Sequence, residues 1–212
     1  MSGEWQRKGL HLIALVVPAA MVSMGRIGAI FVLGLLAVLA ITADVLRALW
    51  PPFSAFIGRV FGGMMRPEEA PVHLGDPDGE ALHPVVVNGA TWVLVSGFVL
   101  AVLVPVEIGA LVFAAFLVAD AGAALAGRSL GRHHWPGSSR TLEGSAAFTL
   151  LALALLVGLP ALVPGLDALR LWQAALVAVA MAWLEAQPLR VNDNLLVPAL
   201  GALLVWHLGA FA

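Results

Sequence analysis

Between Asp120 and Phe148 the chain reads DAGAALAGRSLGRHHWPGSSRTLEGSAAF. A carboxylate, Asp120, sits inside an apolar run, and Gly127 and Gly131 follow at four-residue spacing. The segment then becomes the most basic and polar loop of the chain, with Arg128, Arg132, His133, His134 and Arg140, before Glu143-Gly144-Ser145 opens the next apolar run. These residue types suit a phosphate. Arg binds phosphate oxygens through a planar, often bidentate fork. Glycine lets backbone approach closely, and a helix N-terminus, expected here near Gly144-Ser145, offers N–H groups to an anion. Mg²⁺ prefers carboxylate oxygens, water and substrate phosphates, and Asp44, Asp120, Glu185 and Asp193 can supply such ligands. Metal, phosphate cradle and cationic clamp are the parts of phosphoryl transfer, which works mostly by positioning and charge stabilisation. We therefore expect Asp120 and Asp193 to position Mg²⁺ and phosphate, and Arg128, Arg132 and Arg140 to hold nucleotide phosphates. Asp44, Glu185 or His11 would take the proton of an attacking hydroxyl, a choice that residue type and spacing leave open.

Plainer uses exist for the same residues. Asp120 can form a structural ion pair with Arg128 or Arg47. Asp193-Asn194 can cap a helix, and Glu143 can complement a helix dipole. The three loop arginines can simply follow the charge bias of cytoplasmic loops. His133 and His134 read as loop residues without a role, His11 as a hydrogen-bonding residue within the bundle, Glu107 and Asp167 as turn residues. Trp50, Trp135, Trp172 and Trp206 read as anchors at the membrane interface.

The elements that must carry these groups lie in lipid. Of 212 residues 61% are hydrophobic and 11% charged, with a mean hydropathy of +0.96, whereas a soluble domain is nearer half apolar and about a quarter charged. An integral membrane protein is the expectation. No cysteine is present, which excludes disulfides, thiolate catalysis and cysteine zinc sites. No nucleic-acid partner is expected, and the oligomeric state is not readable. The N-terminal apolar run is too long for a cleaved signal peptide, and no repeat is visible. The arginine-, alanine- and leucine-rich usage fits a GC-rich prokaryotic genome, hence a prokaryotic plasma membrane.

A spanning helix needs about 20 apolar residues. Segments at approximately 8–24, 27–48, 84–104, 106–127, 144–163, 168–188 and 194–211 qualify, with turns at Gly25-Arg26, Pro105, Pro160 to Pro164 and Pro188 to Asn192. The expected fold is an all-α polytopic membrane bundle of about seven transmembrane helices, a single domain over 1–212 with longer cytoplasmic connections near 50–83 and 128–143. Within the first connection Phe53, Phe56, Ile57, Val60 and Phe61 recur at helical spacing with Arg59 on another face. That pattern is an amphipathic helix on the membrane surface or packed on its own bundle. Arg66 to His83 reads as an exposed loop. With a cytoplasmic N-terminus, all basic residues except Arg26 and Arg170 fall on the inner side, as the positive-inside rule requires. His11, Asp44, Asn88, Asp120, Glu143, Glu185, Asp193 and Asn194 then all fall in the cytoplasmic half of the spans. Ionisable residues are expensive in hydrocarbon and mark function, so they describe one polar site open to the cytoplasm.

The order of these residues resembles the polyprenol kinase family, which comprises dolichol kinase, phytol kinase and CTP-dependent diacylglycerol kinase and is related to CTP-using cytidylyltransferases. Glu4-x-x-Arg7-Lys8-x-x-His11 matches the opening E-x-x-R-K-x-x-H, and Ala43-Asp44-x-x-Arg47 the A-D-x-x-R of the second span. Arg66-x-x-Glu69 and Asn88-Gly89-Ala90-Thr91 match looser segments. Asp120-x-x-Ala123, with Gly127-Arg128-x-x-Gly131-Arg132, follows the D-x-x-A-x-x-x-G-x-x-x-G element. Arg140-Thr141-Leu142-Glu143-Gly144-Ser145-Ala146-Ala147-Phe148 follows K-S/T-x-E-G-S-x-A-F, and Glu185, Asp193-Asn194 and Pro198 the closing E…D-N…P. The resemblance implies transfer of the terminal phosphate of CTP, or another nucleotide, to a lipid alcohol, with Mg²⁺. It implies nucleotide or phosphate contacts at Lys8, Gly127, Arg128, Gly131, Arg132, Arg140, Thr141, Glu143, Gly144, Ser145 and Asn194. The family commonly has Lys where Arg140 stands, and Arg keeps the charge but not the point geometry of an ammonium. Two other readings compete. A cytidylyltransferase would make a CDP-lipid and release pyrophosphate. A transporter predicts polar residues at the midplane and an inverted repeat, neither of which the chain carries.

Overall fold

The computed structural model describes residues 13–61, 85–163, 168–188 and 191–209. Among them the chain is all-helical: α1 Val16–Leu49, α2 Pro51–Phe61, α3 Gly89–Leu103, α4 Val106–Leu130, α5 Leu142–Leu162, α6 Leu171–Ala186 and α7 Asp193–Gly209. In hydrocarbon every backbone N–H and C=O must be satisfied within its own segment, which an apolar helix does. Three helices, α1, α4 and α5, are long and apolar enough to cross a membrane, while α3, α6 and α7 are shorter apolar helices. Large apolar side chains also face outward, with Ile27, Phe31, Leu150 and Leu162 all among the most exposed. Water would make such a surface aggregate; lipid solvates it.

Gly25 turns α1 back on itself. Its φ of 67° and ψ of 176° lie outside the helical region, in a part of conformational space that is essentially glycine's alone. A methyl group placed on Gly97 of α3 would lie 2.7 Å from Val17 Cγ1 and 3.1 Å from Leu33 Cδ1. Those two residues would be about 24 Å apart along a straight helix, so both reach one point of α3 only because α1 is two antiparallel arms. The turn expected at Gly25-Arg26 is therefore present. Just after it, the Arg26 guanidinium donates to Ala101 O at 3.2 Å and Val102 O at 2.9 Å. It supplies a cation to the carbonyl end of α3.

The central helix is α4, which packs against α1, α3, α5 and α7. Phe113 and Phe116 on it are fully buried, and the Phe116 ring meets Phe148 of α5 at 6.2 Å. Toward its C-terminal end α4 presents small residues to α5. A methyl group on Gly144 would stand 3.1 Å from Ala123 O and 3.5 Å from Gly127 Cα. Small residues at such a crossing let two helix backbones approach closely. On α2, Ser54 is buried while Phe56 and Val60 are more than half exposed, and the helix lies against α1. It thus packs on the bundle by one face and leaves apolar residues and Arg59 on the other.

Two boundaries differ from expectation. Helix α4 runs on to Leu130, which puts Arg128 in its last turn instead of a loop. Helix α5 passes through Pro160 to Leu162 where a turn was expected; a proline in the last turn removes a single backbone bond. Lys8, His11, Asp167, Arg190 and the loop from Arg66 to His83 lie outside the described residues.

Replacing Gly25 by Ala puts a side chain at a φ that strains it, at a cost of about 1–3 kcal/mol. We expect a lower thermal unfolding midpoint in detergent for Gly25→Ala. Gly158→Ala is the control: it meets open space inside α5 and should leave the midpoint level or slightly raised.

Candidate functional site

The segment after α4 is a short hairpin, not an open loop. Trp135-Pro136-Gly137-Ser138 forms its turn, with Ser138 N donating to Trp135 O at 3.1 Å and Gly137 at φ 71°. Proline followed by a positive-φ glycine is the signature of a type II turn. His134 and Thr141 pair across the hairpin, Trp135 N donates to Arg140 O at 3.0 Å, and Leu142 N to His133 O at 2.8 Å. His133 Nδ1 lies 2.7 Å from Glu143 Oε1, and His133 N donates to Glu143 Oε2 at 3.3 Å. Glu143 thus ties the hairpin to α5. His133, read from sequence as a residue without a role, is its partner.

The hairpin turns Arg140 inward, where it joins α6 to α7. Arg140 Nη1 lies 2.8 Å from Glu185 Oε1, and Nη2 lies 2.9 Å from Asp193 Oδ2. Glu185 is 4% exposed. Its Oε1 has the guanidinium charge beside it but off the direction of a hydrogen bond, so no donor is aligned on that buried atom. Asp120 and Asp193 are near enough for their charges to act on Glu185 alongside Arg140. Two of the expected carboxylates, on α6 and α7, therefore meet at one guanidinium, and the charge of Asp120 on α4 reaches them. Asp193 opens α7, with Oδ1 accepting from Asn194 N at 2.9 Å and Asn192 Oδ1 accepting from the same N–H at 3.0 Å. Asn192 accordingly shares the capping task, and the second oxygen of Asp193 is left to Arg140. Asn194 is buried, and its carbonyl takes a 2.6 Å hydrogen bond from Ser96, which pins α3 to α7.

A cavity of about 370 Å³ opens beside this bridge. Helix α4 lines it with Ala123, Ala124, Gly127 and Arg128, the hairpin with His134, Ser139 and Arg140, α5 with Thr141, Gly144 and Ser145, and α6 with Glu185. Two hydroxyls on the α5 wall are held as acceptors. Thr141 Oγ1 accepts from Gly144 N at 3.1 Å, and Ser145 Oγ accepts from Trp135 Nε1 at 2.9 Å. Each hydroxyl has one proton left to donate. Arg140 still has N–H groups beyond the two facing carboxylates, since a guanidinium carries five. The wall is thus rich in donors and cations, with a buried carboxylate at its edge.

Several expectations need correction. The N-terminus of α5 is not an open anion seat: Leu142 N donates to His133 O, Ser145 N to Thr141 O, and Gly144 N to Thr141 Oγ1. Side-chain donors face the cavity instead. Gly127, which lines the cavity, and Gly131 both leave room for Thr141. A methyl group on Gly127 would stand 2.9 Å from Thr141 Oγ1, and one on Gly131 2.7 Å from Thr141 Cγ2. Arg132 is exposed and outside the cavity lining. Asp44 is elsewhere too, in a buried network where Oδ2 accepts from Asn88 N at 3.0 Å and Thr91 Oγ1 at 2.7 Å, with Arg47 Nη2 3.3 Å from Oδ1. Arg47 Nη2 also donates to Val86 O at 2.7 Å. Asp44 there secures the start of α3. Trp135 is half-buried and its indole N–H donates to Ser145 Oγ. His134 and Ser139 were not predicted to line a cavity; the Pro136-Gly137 turn is the signal that could have folded them onto Thr141.

No group of three His, Asp or Glu among the described residues is arranged to hold a metal ion, and Arg140 stands between Glu185 and Asp193. Both side-chain oxygens of Asp193 are engaged, Oδ1 by Asn194 N and Oδ2 by Arg140 Nη2. No family model, no curated protein and no solved structure matches the chain.

Arg140→Gln leaves Glu185 buried without its cation. Removing one partner of a buried pair costs about 3–5 kcal/mol, and Arg140 is about a third exposed, so we expect a smaller loss of about 1–3 kcal/mol after solvent screening. Adding Glu185→Gln should recover much of it, as measured by thermal unfolding of the single and double variants in detergent.

Proposed function

We propose that this protein is an integral membrane lipid-alcohol kinase that transfers the terminal phosphate of CTP, or another nucleotide, to the hydroxyl of a polyprenol, phytol-type alcohol or diacylglycerol. The observation that carries the reading is the donor-rich cavity of Arg128, Arg140, Thr141 and Ser145 beside the buried Glu185. Its chemistry is that of a phosphate chain with an acidic group at the reacting end. The ordered motifs shared with polyprenol kinases support the same activity. The charge bias of the loops supports about seven spans with the N-terminus and the cavity on the cytoplasmic side. A soluble nucleotide reaches that side from water and the lipid alcohol from the bilayer.

In this mechanism Arg128 and Arg140 hold the nucleotide phosphates, and Thr141 and Ser145 donate to phosphate oxygens. Asp120 and Asp193 would hold Mg²⁺, which would supply neutralising charge at the phosphates. The lipid hydroxyl oxygen forms a bond to the terminal phosphorus, the bond from that phosphorus to the bridging oxygen breaks, and CDP leaves. Glu185 takes the hydroxyl proton. It is preferred to Asp44, whose oxygens already serve Asn88, Thr91 and Arg47, and to His11, which lies outside the described residues.

Purified protein incubated with labelled CTP or ATP and several lipid alcohols should move label into the lipid phase, with CDP as the other product. No transfer from any donor ends the kinase reading, and release of pyrophosphate instead identifies a cytidylyltransferase. Glu185→Gln should lower kcat by about 10²–10⁴ while nucleotide affinity changes little. Asp120→Asn should abolish transfer in a protein that still unfolds cooperatively.

A further inference from the structure

We infer that Trp135 is a positioning residue of the phosphate cavity: its indole N–H holds the Ser145 oxygen as an acceptor, which commits the Ser145 proton to a phosphate oxygen of the nucleotide. The inference rests on the proposed reading of that cavity. Serine and threonine inside helices can turn their hydroxyl back to a carbonyl one turn earlier, and three residues of this chain do so. Thr42 donates to Val38 O at 2.8 Å, Ser129 to Leu125 O at 2.9 Å, and Thr149 to Ser145 O at 2.9 Å. Ser145 differs from them. Its oxygen instead receives Trp135 Nε1 at 2.9 Å.

An indole donates and cannot accept, so this contact fixes the direction of the hydroxyl in a way Tyr or His would not. Among the described residues the Ser145 hydroxyl donates to no protein acceptor. It is 9% exposed and lines the cavity, so the acceptor has to come from what the cavity holds. The indole is itself held by the turn, since Trp135 N donates to Arg140 O and Trp135 O accepts from Ser138 N. The element that delivers the Arg140 cation therefore also orients the Ser145 donor. Trp135 reaches the ligand only through Ser145.

The test measures Kd in detergent for CTP, inorganic tripolyphosphate and cytidine. Wild type, Trp135→Phe, Ser145→Ala and the double variant are compared. Trp135→Phe keeps the ring and removes the N–H. It should weaken CTP and tripolyphosphate about three- to tenfold, the share of one hydrogen bond, and leave cytidine unchanged. Ser145→Ala should do the same, and the double variant should lose nothing further. Wild-type affinity in Trp135→Phe, or losses that multiply in the double variant, overturn the role of Trp135. Wild type that binds CTP but not tripolyphosphate overturns it while sparing the nucleotide reading; wild type that binds neither removes both. Should Trp135→Phe fail to unfold cooperatively, unchanged tripolyphosphate affinity in Ser145→Ala overturns the inference.

Discussion

Arg140 reaches Glu185 at 2.8 Å and Asp193 at 2.9 Å, and the polar end of the bundle is organised by that bridge. A carboxylate as buried as Glu185 is expensive without a cation beside it. Burying it on α6 therefore requires the hairpin between α4 and α5 to carry a guanidinium to the ends of α6 and α7. Helices distant in sequence become neighbours through one side chain. The hairpin in turn depends on the Pro136-Gly137 turn, the tie between His133 and Glu143, and the bond from Trp135 to Ser145.

The same bridge shapes the wall proposed to bind phosphate. Leu142, Gly144 and Ser145 at the start of α5 already have their backbone N–H groups bonded, so the cavity is faced mainly by hydroxyls and guanidinium groups. Thr141 is made a donor by Gly144, and Ser145 by Trp135. Small residues on α4 and α5 bring the two helices close enough for these groups to share one cavity. The kinase proposal asks of this arrangement only positioning and charge, which is what phosphoryl transfer needs from a protein.

Much of the framework was legible in sequence because apolar run length and glycine and proline punctuation are local properties. The turn at Gly25, the helix start at Pro105 and the amphipathic α2 all follow from neighbours along the chain. The boundary errors arose where local rules compete, as at Pro160, which α5 tolerates in its last turn. Within the site, Glu185, Asp193, Arg140 and Asp120 were singled out because ionisable residues in apolar segments are costly. Asp44 was singled out on the same ground, yet it belongs to a separate network at the start of α3. Residue type cannot distinguish a carboxylate that faces a cavity from one that secures a helix end.

By itself, then, the sequence determined an apolar, all-helical chain with its carboxylates and cations gathered toward one end. These features depend on composition and on spacing within single segments. Only the tertiary structure decided that Gly127 and Gly131 leave room for Thr141, that Arg140 is shared between two carboxylates, and that Trp135 donates to Ser145. Each of those depends on distances between residues on different elements, and helix packing sets such distances.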